Sequence, residues 1–369
     1  MKNLNWCSNC LAMSTRPRIS FNEYNLCNAC VWTVKKKKHD WNKNLNELKT
    51  YLKKNSNKKN KDGYDCLVPV SGGKDGSYVF DKVKNKLKLN PLAITINPHL
   101  PQKIGGINLD NFIKSGAPLI EVNPPYEVMR KLNFLGFKHA GFPYYGWLIA
   151  IHTAVIRVAK NFGIDLIFYG EDGELEYGGS NETKDNIFYD INYQKKIYLE
   201  SHQDSILKKS KLSPQDLFFF SYPIKKQKQI KLTHYSYFGD WNPYTNYLLA
   251  KKKYGLIENK KTNMGTFSNF AQNDQKLYAL HTYLMYLKFG FGRATQDASI
   301  EIRRGAMKRS QGVELVKLYD NCYPNEYLKD YLTYFKISKK EFDKIIDSWA
   351  NKKLFFKKNS KWHPKFEIK

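Results

Sequence analysis

The stretch DCLVPVSGGKDGSYVF, residues 65–80, constrains this chain more than any other. A short apolar run leads into two glycines, a lysine and an aspartate, and then into a segment with helical spacing. Gly72 and Gly73 let the backbone fold tightly and aim its N–H groups at an anion. The start of the following helix adds partial positive charge. Ser71 and Ser77 offer hydroxyls, and Lys74 offers a full charge. Asp75 alone would repel phosphate, so its presence suits a magnesium ion shared with phosphate oxygens. The stretch is neither a Walker A loop, which needs Ser or Thr after Gly-Lys, nor G-x-G-x-x-G. The plainer alternative is an ordinary strand-to-helix turn.

Beyond this turn, strand and helix patterns alternate. DCLVPV, PLAITIN, APLIEVNP and IDLIFYGED read as strands. Helices are expected over Asp75–Leu87, over NLDNFIKSG and over roughly Tyr144–Asn161. Such alternation predicts α/β architecture: a parallel sheet with helices on both faces and ligands at the C-terminal strand edge. From about residue 200 the pattern becomes mainly helical. The expected organisation is a cysteine module over 1–40, a basic helix and linker over 41–62, the α/β domain over 63–200 and a mainly helical substrate or partner domain over 201–369.

Cys7, Cys10, Cys27 and Cys30 form C-x2-C-x16-C-x2-C. Two such knuckles complete a tetrahedron, and four thiolates leave no position for a substrate water. A structural, ribbon-like zinc site is expected, with disulfides or redox pairs as the alternatives. The formal charge is +27, yet only eight of the 61 basic residues are arginine. A solvated lysine-rich surface explains this better than a nucleic-acid reader built on arginine forks, so nucleic acid is not the expected partner. The apolar stretch FPYYGWLIAIHTAVIRVA is interrupted by His152 and Arg157, which favours a buried helix over a membrane span. With no export signal seen, a cytoplasmic location is expected.

The fourth strand ends in Gly170, Glu171 and Asp172, within an acidic cluster that includes Glu174 and Glu176. This cluster could supply a second magnesium ligand, Asp172 being the candidate, or bind ammonia; a solvated acidic loop is the alternative. Arg293, in GFGRAT, could reach a phosphate. Asp297 and Glu301 share a helix face, with Arg303 and Arg304 a turn further on, which also fits exposed ion pairs on a capped helix. No histidine is assigned to catalysis.

SGGKDGS resembles the PP-loop of the ATP pyrophosphatases (adenine nucleotide alpha hydrolase-like), which cleave ATP between its α and β phosphates. The general pattern has serine directly after the aspartate; here Gly76 intervenes and Ser77 comes next. Together with CSNCLAMSTRPRISFNEYNLCNAC, YGEDGELEYGG and KFGFGRATQDASIEIRRGAMKR, the chain resembles the N-acetyl sugar amidotransferases of bacterial surface-polysaccharide biosynthesis, lipopolysaccharide O-antigen and pseudaminic-acid-type sugars among them, over residues 7 to about 309. The resemblance implies that AMP is transferred to the acetamido oxygen of a nucleotide sugar or nonulosonate, and that ammonia then displaces AMP to leave an acetamidino sugar. It implies ATP and magnesium, with Ser71, Gly72, Gly73, Lys74, Gly76 and Ser77 on the phosphates, adenine near Ile96 and Asn97 by likeness of fold, Gly170 also on the nucleotide, and Lys74, Asp75, Glu171, Asp172 and Arg293 in catalysis. It also implies a separate glutaminase and barrel subunit, similar to those of imidazole glycerol phosphate synthase, as the ammonia source. The main rival is a tRNA-modifying PP-loop enzyme of the thiolase kind; a non-catalytic partner and another amide ligase are weaker alternatives.

Overall fold

A computed structural model describes residues 4–55, 63–223 and 230–368. Five parallel strands, β1 (Cys66–Pro69), β2 (Pro91–Ile96), β3 (Leu119–Val122), β4 (Leu166–Tyr169) and β5 (Lys231–His234), form one sheet in the order β3-β2-β1-β4-β5. Leu67 sits opposite Leu92 on one side and Ile167 on the other, and Leu166 opposite Lys231. All six residues of β2 are buried, which happens only when both faces of a sheet are covered. Those covers are helices. Helix α1 (Asn28–Lys36) and α2 (Trp41–Asn55) precede the sheet. Helices α3 (Lys74–Asn85), α4 (Lys103–Lys114), α5 (Tyr126–Ala140) and α6 (Tyr145–Asn161) connect its strands, and the short α7 (Gly173–Tyr177) comes after β4. The interrupted apolar stretch is α6, with eleven buried residues, and α5 packs against it. Among the described residues no helix is long and apolar enough to cross a membrane.

Three expectations need correcting. The sheet gains β5, so the α/β unit does not end at 200; its core continues through Tyr237, Phe238 and Trp241 to Tyr254. Helix α2 forms as expected, but it belongs to the α/β unit and does not stand apart from it, because Leu48 is buried in that core and Tyr51 packs on Phe188 at 4.9 Å. The polar run expected as a linker lies, but for its ends, outside the described residues. The C-terminal region is mainly helical, but it closes on an antiparallel hairpin, β6 (Phe355–Lys358) and β7 (Lys361–Pro364). That hairpin packs Phe355 and Trp362 into a second core with Leu280, Leu284, Leu287 and Phe342.

Strand order reverses between β1 and β4. The chain leaves these two neighbours in opposite directions across the sheet, and a crevice opens beyond their C-terminal ends. The loops that line it begin at Ser71 and Gly170.

Candidate active site

The turn after β1 is shaped by close packing. Gly72 has φ +77°, and a Cβ there would lie 2.4 Å from the Leu109 amide nitrogen and 2.6 Å from two further backbone atoms. Gly73 is extended and caps α3 without any side-chain hydrogen bond, so the first N–H groups of the helix remain available. A Cβ on Gly73 would meet only the Ser71 hydroxyl, at 3.4 Å. Gly72→Ala is therefore expected to lower thermal stability, whereas Gly73→Ala should leave it unchanged. Thermal shift of the two variants would check this pair.

Lys74 is buried, with its ammonium against the Asp75 carboxylate, whose other oxygen accepts from Asn246 Nδ2 at 3.0 Å. The Ser77 hydroxyl is buried without a hydrogen-bond partner. Across the switch point, Gly170 admits the Trp241 ring; a Cβ there would touch it at 3.4 Å. Glu171 accepts a hydrogen bond from the Tyr177 hydroxyl at 3.3 Å. Burial raises the Glu171 carboxyl, and Asp75 raises it further, while Lys74 and Arg293 pull it back. Burial also works against the charge of Arg293, but Asp297, Tyr177, Glu171 and Asp75 outweigh it and hold the guanidinium above its ordinary range. Arg293 pairs with Asp297 at 2.8 Å and lies 5.9 Å from the Tyr177 ring centroid. A cleft of about 220 Å³ joins these parts, lined among others by Lys74, Tyr244, Phe270, Arg293, Asp297 and Arg304.

The structure thus brings Ser71–Ser77, Gly170, Glu171 and Arg293 together, and adds Asp274. Burial raises the Asp274 carboxyl; hydrogen bonds from Ser71 and Tyr278 and the charge of Lys74 oppose that rise. Sequence reasoning passes over Asp274 because it stands in an asparagine-rich loop far along the chain. That loop is anchored to the start of α4, where Gln102 N donates to the Asp274 carbonyl at 3.0 Å.

Asp172 is the clearest disagreement. Its side chain is fully buried, and both carboxylate oxygens are taken: Thr183 Oγ1 donates at 2.6 Å, Tyr237 at 2.7 Å, Glu174 N at 2.9 Å and Tyr198 at 3.4 Å. Four donors, two on each oxygen, use up its lone pairs and leave magnesium none, whereas each Asp75 oxygen accepts one donor and keeps a free lone pair; Glu171 is the acid that meets the loop. Asn97 spends its amide on Glu121 and Asn123, both at 2.9 Å. Glu174 and Glu176 are neither solvated nor free. Glu174 takes two hydrogen bonds from Arg18, at 2.7 and 2.8 Å, and Glu176 takes Lys36 at 2.9 Å and Trp32 Nε1 at 3.2 Å. Glu301 pairs with Arg304, while Arg303 turns to the cysteine module.

In that module the four sulfurs lie within 4.8 Å of one another, with Cys7–Cys30 and Cys10–Cys27 each at 3.6 Å. A tetrahedral ion with metal–sulfur bonds of about 2.3 Å holds its sulfurs roughly 3.8 Å apart, so this donor set fits a single metal. Hydrogen bonds with Cys27 and Cys30 draw the Cys10 thiol down to about 6. Cys27 N donates to Cys7 Sγ at 3.2 Å and Asn9 Nδ2 to Cys30 Sγ at 3.3 Å, as partners of metal-bound thiolates do.

The helix that presents Arg293, Arg293–Arg303, is held at its start by Asp320. Gly292 N donates to Asp320 at 2.8 Å and Thr295 Oγ1 at 2.5 Å. Burial pushes this carboxyl up to about 6, above its ordinary 3.8, despite those bonds. Between these values the native state binds the proton more tightly than the unfolded chain, so this group's contribution to stability falls as pH rises from about 4 to about 6. Urea denaturation across that window should show a shallower decline for Asp320→Asn than for the parent.

Residues 264–367 match the family described as LPS biosynthesis protein WbpG-like, C-terminal domain. The match takes in Asp274, Arg293 and Asp320. Among solved structures, the chain is similar to the U34-tRNA thiolase NcsA from Methanococcus maripaludis with its [4Fe-4S] cluster. Identity is 14%, coverage is 67% of this chain and 72% of that one, and the TM-score is 0.28. No curated protein matches the chain.

Proposed function

We propose that the chain is an ATP-dependent amidotransferase of surface-glycan biosynthesis that converts the acetamido group of an N-acetyl sugar to an acetamidino group. One observation carries this reading. Lys74 of the phosphate-loop turn and Arg293, from the region that matches the WbpG-like domain, line the same cleft. An amide carbon is a poor electrophile, and oxide cannot leave it. Attack of the acetamido oxygen on the α-phosphorus of ATP forms an O–P bond and releases pyrophosphate. Ammonia then adds to the activated carbon, loses a proton, and AMP departs with the oxygen, leaving C=NH.

The residues divide this work. The turn Ser71–Ser77 takes the β and γ phosphates through its N–H groups, hydroxyls and Lys74. Arg293 faces charge on the α-phosphate. Asp75 and Glu171 are the carboxylates that would hold magnesium, which supplies neutralising charge to the phosphate oxygens. Tyr244 and Phe270 give the cleft an aromatic wall. The nitrogen comes as ammonia from a separate glutaminase and barrel subunit. For the cysteine module we favour zinc: a four-iron cubane binds each thiolate to a different iron, which spreads the sulfurs further than they lie here.

The test is pyrophosphate release from the purified chain with ATP, magnesium and ammonium. It would be offered a panel of N-acetylated nucleotide sugars and nonulosonates, with bulk tRNA as the rival substrate. Release with one sugar, accompanied by exchange of its oxygen for NH in the mass spectrum, is the expected result. Release with tRNA alone would overturn the reading.

A further inference from the structure

We propose that the four-cysteine module positions the active cleft, with Arg303, Glu174 and Glu176 as the positioning residues. This rests on the reading that Glu171 and Arg293 belong to the reaction site.

The segment between β4 and Thr183 carries Glu171 and Tyr177, yet has little of its own to fold around. Helix α7 has five residues, too few to persist alone, and only Glu174 and Leu175 are buried in it. Asp172 anchors its start to Tyr237 and Ser236; the fixed points beyond that come from the module. Arg18 grips Glu174, and Lys36 and Trp32 grip Glu176. Asn28 Nδ2 donates to the Gly179 carbonyl at 2.7 Å, and Arg16 Nε to the Gly178 carbonyl at 2.5 Å. A buried carboxylate such as Glu174 is tolerable only while its cation stays in place.

The helix Arg293–Arg303 is tied to the same module at its far end. Arg303 Nη2 donates to the Glu176 carbonyl at 2.7 Å, and its Nη1 reaches Cys10 Sγ at 3.5 Å. Leu11 N donates to Ser299 Oγ at 3.2 Å. Several of these contacts come from residues adjacent to metal ligands: Leu11 is next to Cys10 and Asn28 is next to Cys27. Ligand geometry therefore sets the anchor points. Tyr177 completes the path, because its hydroxyl bonds Glu171 and its ring lies beside Arg293. A module this small depends on its metal to fold. Metal occupancy thus fixes the two cleft groups from a site that touches no substrate.

The experiment uses the full chain and reads hydrogen exchange by mass spectrometry, with metal content measured in parallel. Arg303→Met should keep its metal. It should also lose protection by about tenfold or more in peptides covering 171–180 and 293–303, with peptides over β1 and β2 unchanged. Arg303→Lys, which retains one donor for the Glu176 carbonyl, should recover part of it. Removing the metal by chelation should reproduce the Arg303→Met pattern, and Glu174→Gln should do so for 171–180. Unchanged exchange at 171–180 after chelation would overturn the proposal, as would an equal rise over β1 and β2. Exchange is read without substrate, so this result and the pyrophosphate assay can fail separately.

Discussion

Lys74→Met should slow pyrophosphate release by about two to three orders of magnitude, the loss typical when one preorganised charge is removed from a transition state. Methionine keeps the apolar stem, so the buried channel the side chain occupies stays filled and the fold should hold. What disappears is the only cation on the turn itself. Asp75 lies against that ammonium, and Glu171 and Asp274 both feel its charge. Without it, three acidic groups face a phosphate chain with only Arg293 and the Glu301-paired Arg304 as opposing charges among the residues lining the cleft. Both kcat and kcat/KM should fall, because charge builds on the leaving pyrophosphate in the transition state beyond that of bound ATP. A rise in KM with kcat intact would mean that Lys74 only holds ATP. A loss below tenfold in both would remove the turn from the chemistry. Lys74→Arg is expected to rescue little, since a planar guanidinium does not fit a site shaped for a compact ammonium.

Where the chemistry is local, the sequence could be read. The cysteine knuckles and the glycine turn each place their functional atoms within a few residues, and the structure keeps both as clusters. The alternation of strands and helices likewise announced β1 to β4 and the crevice beyond them. Pairing between distant segments was illegible. Nothing near Glu174 or Glu176 names Arg18 or Lys36 as a partner, and nothing near Ser71 names Asp274. Strand β5 escaped because four residues, Lys231 and His234 at its ends, are too few to show a period of their own; neighbouring β4 makes them a strand. The hairpin β6–β7 did leave a signal, Asn359-Ser360 between FFKK and KWHP. Both turn residues take positive φ, 48° and 61°, as a tight two-residue turn requires.

The exchange of roles between Glu171 and Asp172 has the same origin. Adjacent residues at the exit of a strand face opposite ways, so reading the acidic pair correctly requires knowing which of them caps α7. The structure makes Asp172 the cap and the hub of a buried polar network, and this yields the second large prediction. Asp172→Ala is expected to cost about 2–5 kcal/mol of stability, the sum for two or three buried donors left without an acceptor. The variant strands the hydroxyls of Thr183 and Tyr237, weakens that of Tyr198, and leaves Glu174 N uncapped. Asp172→Asn should lose less, because the amide keeps one acceptor for the cap while its NH₂ opposes the hydroxyl donors. Chemical denaturation measures both costs, and Mn²⁺ titration in the presence of ATP measures the metal site. Asp172→Asn is expected to lose stability but bind the ion as the parent does, and Glu171→Gln to show the reverse. A stable Asp172→Asn that no longer binds the ion would restore Asp172 as the ligand and require the network to open when ATP arrives.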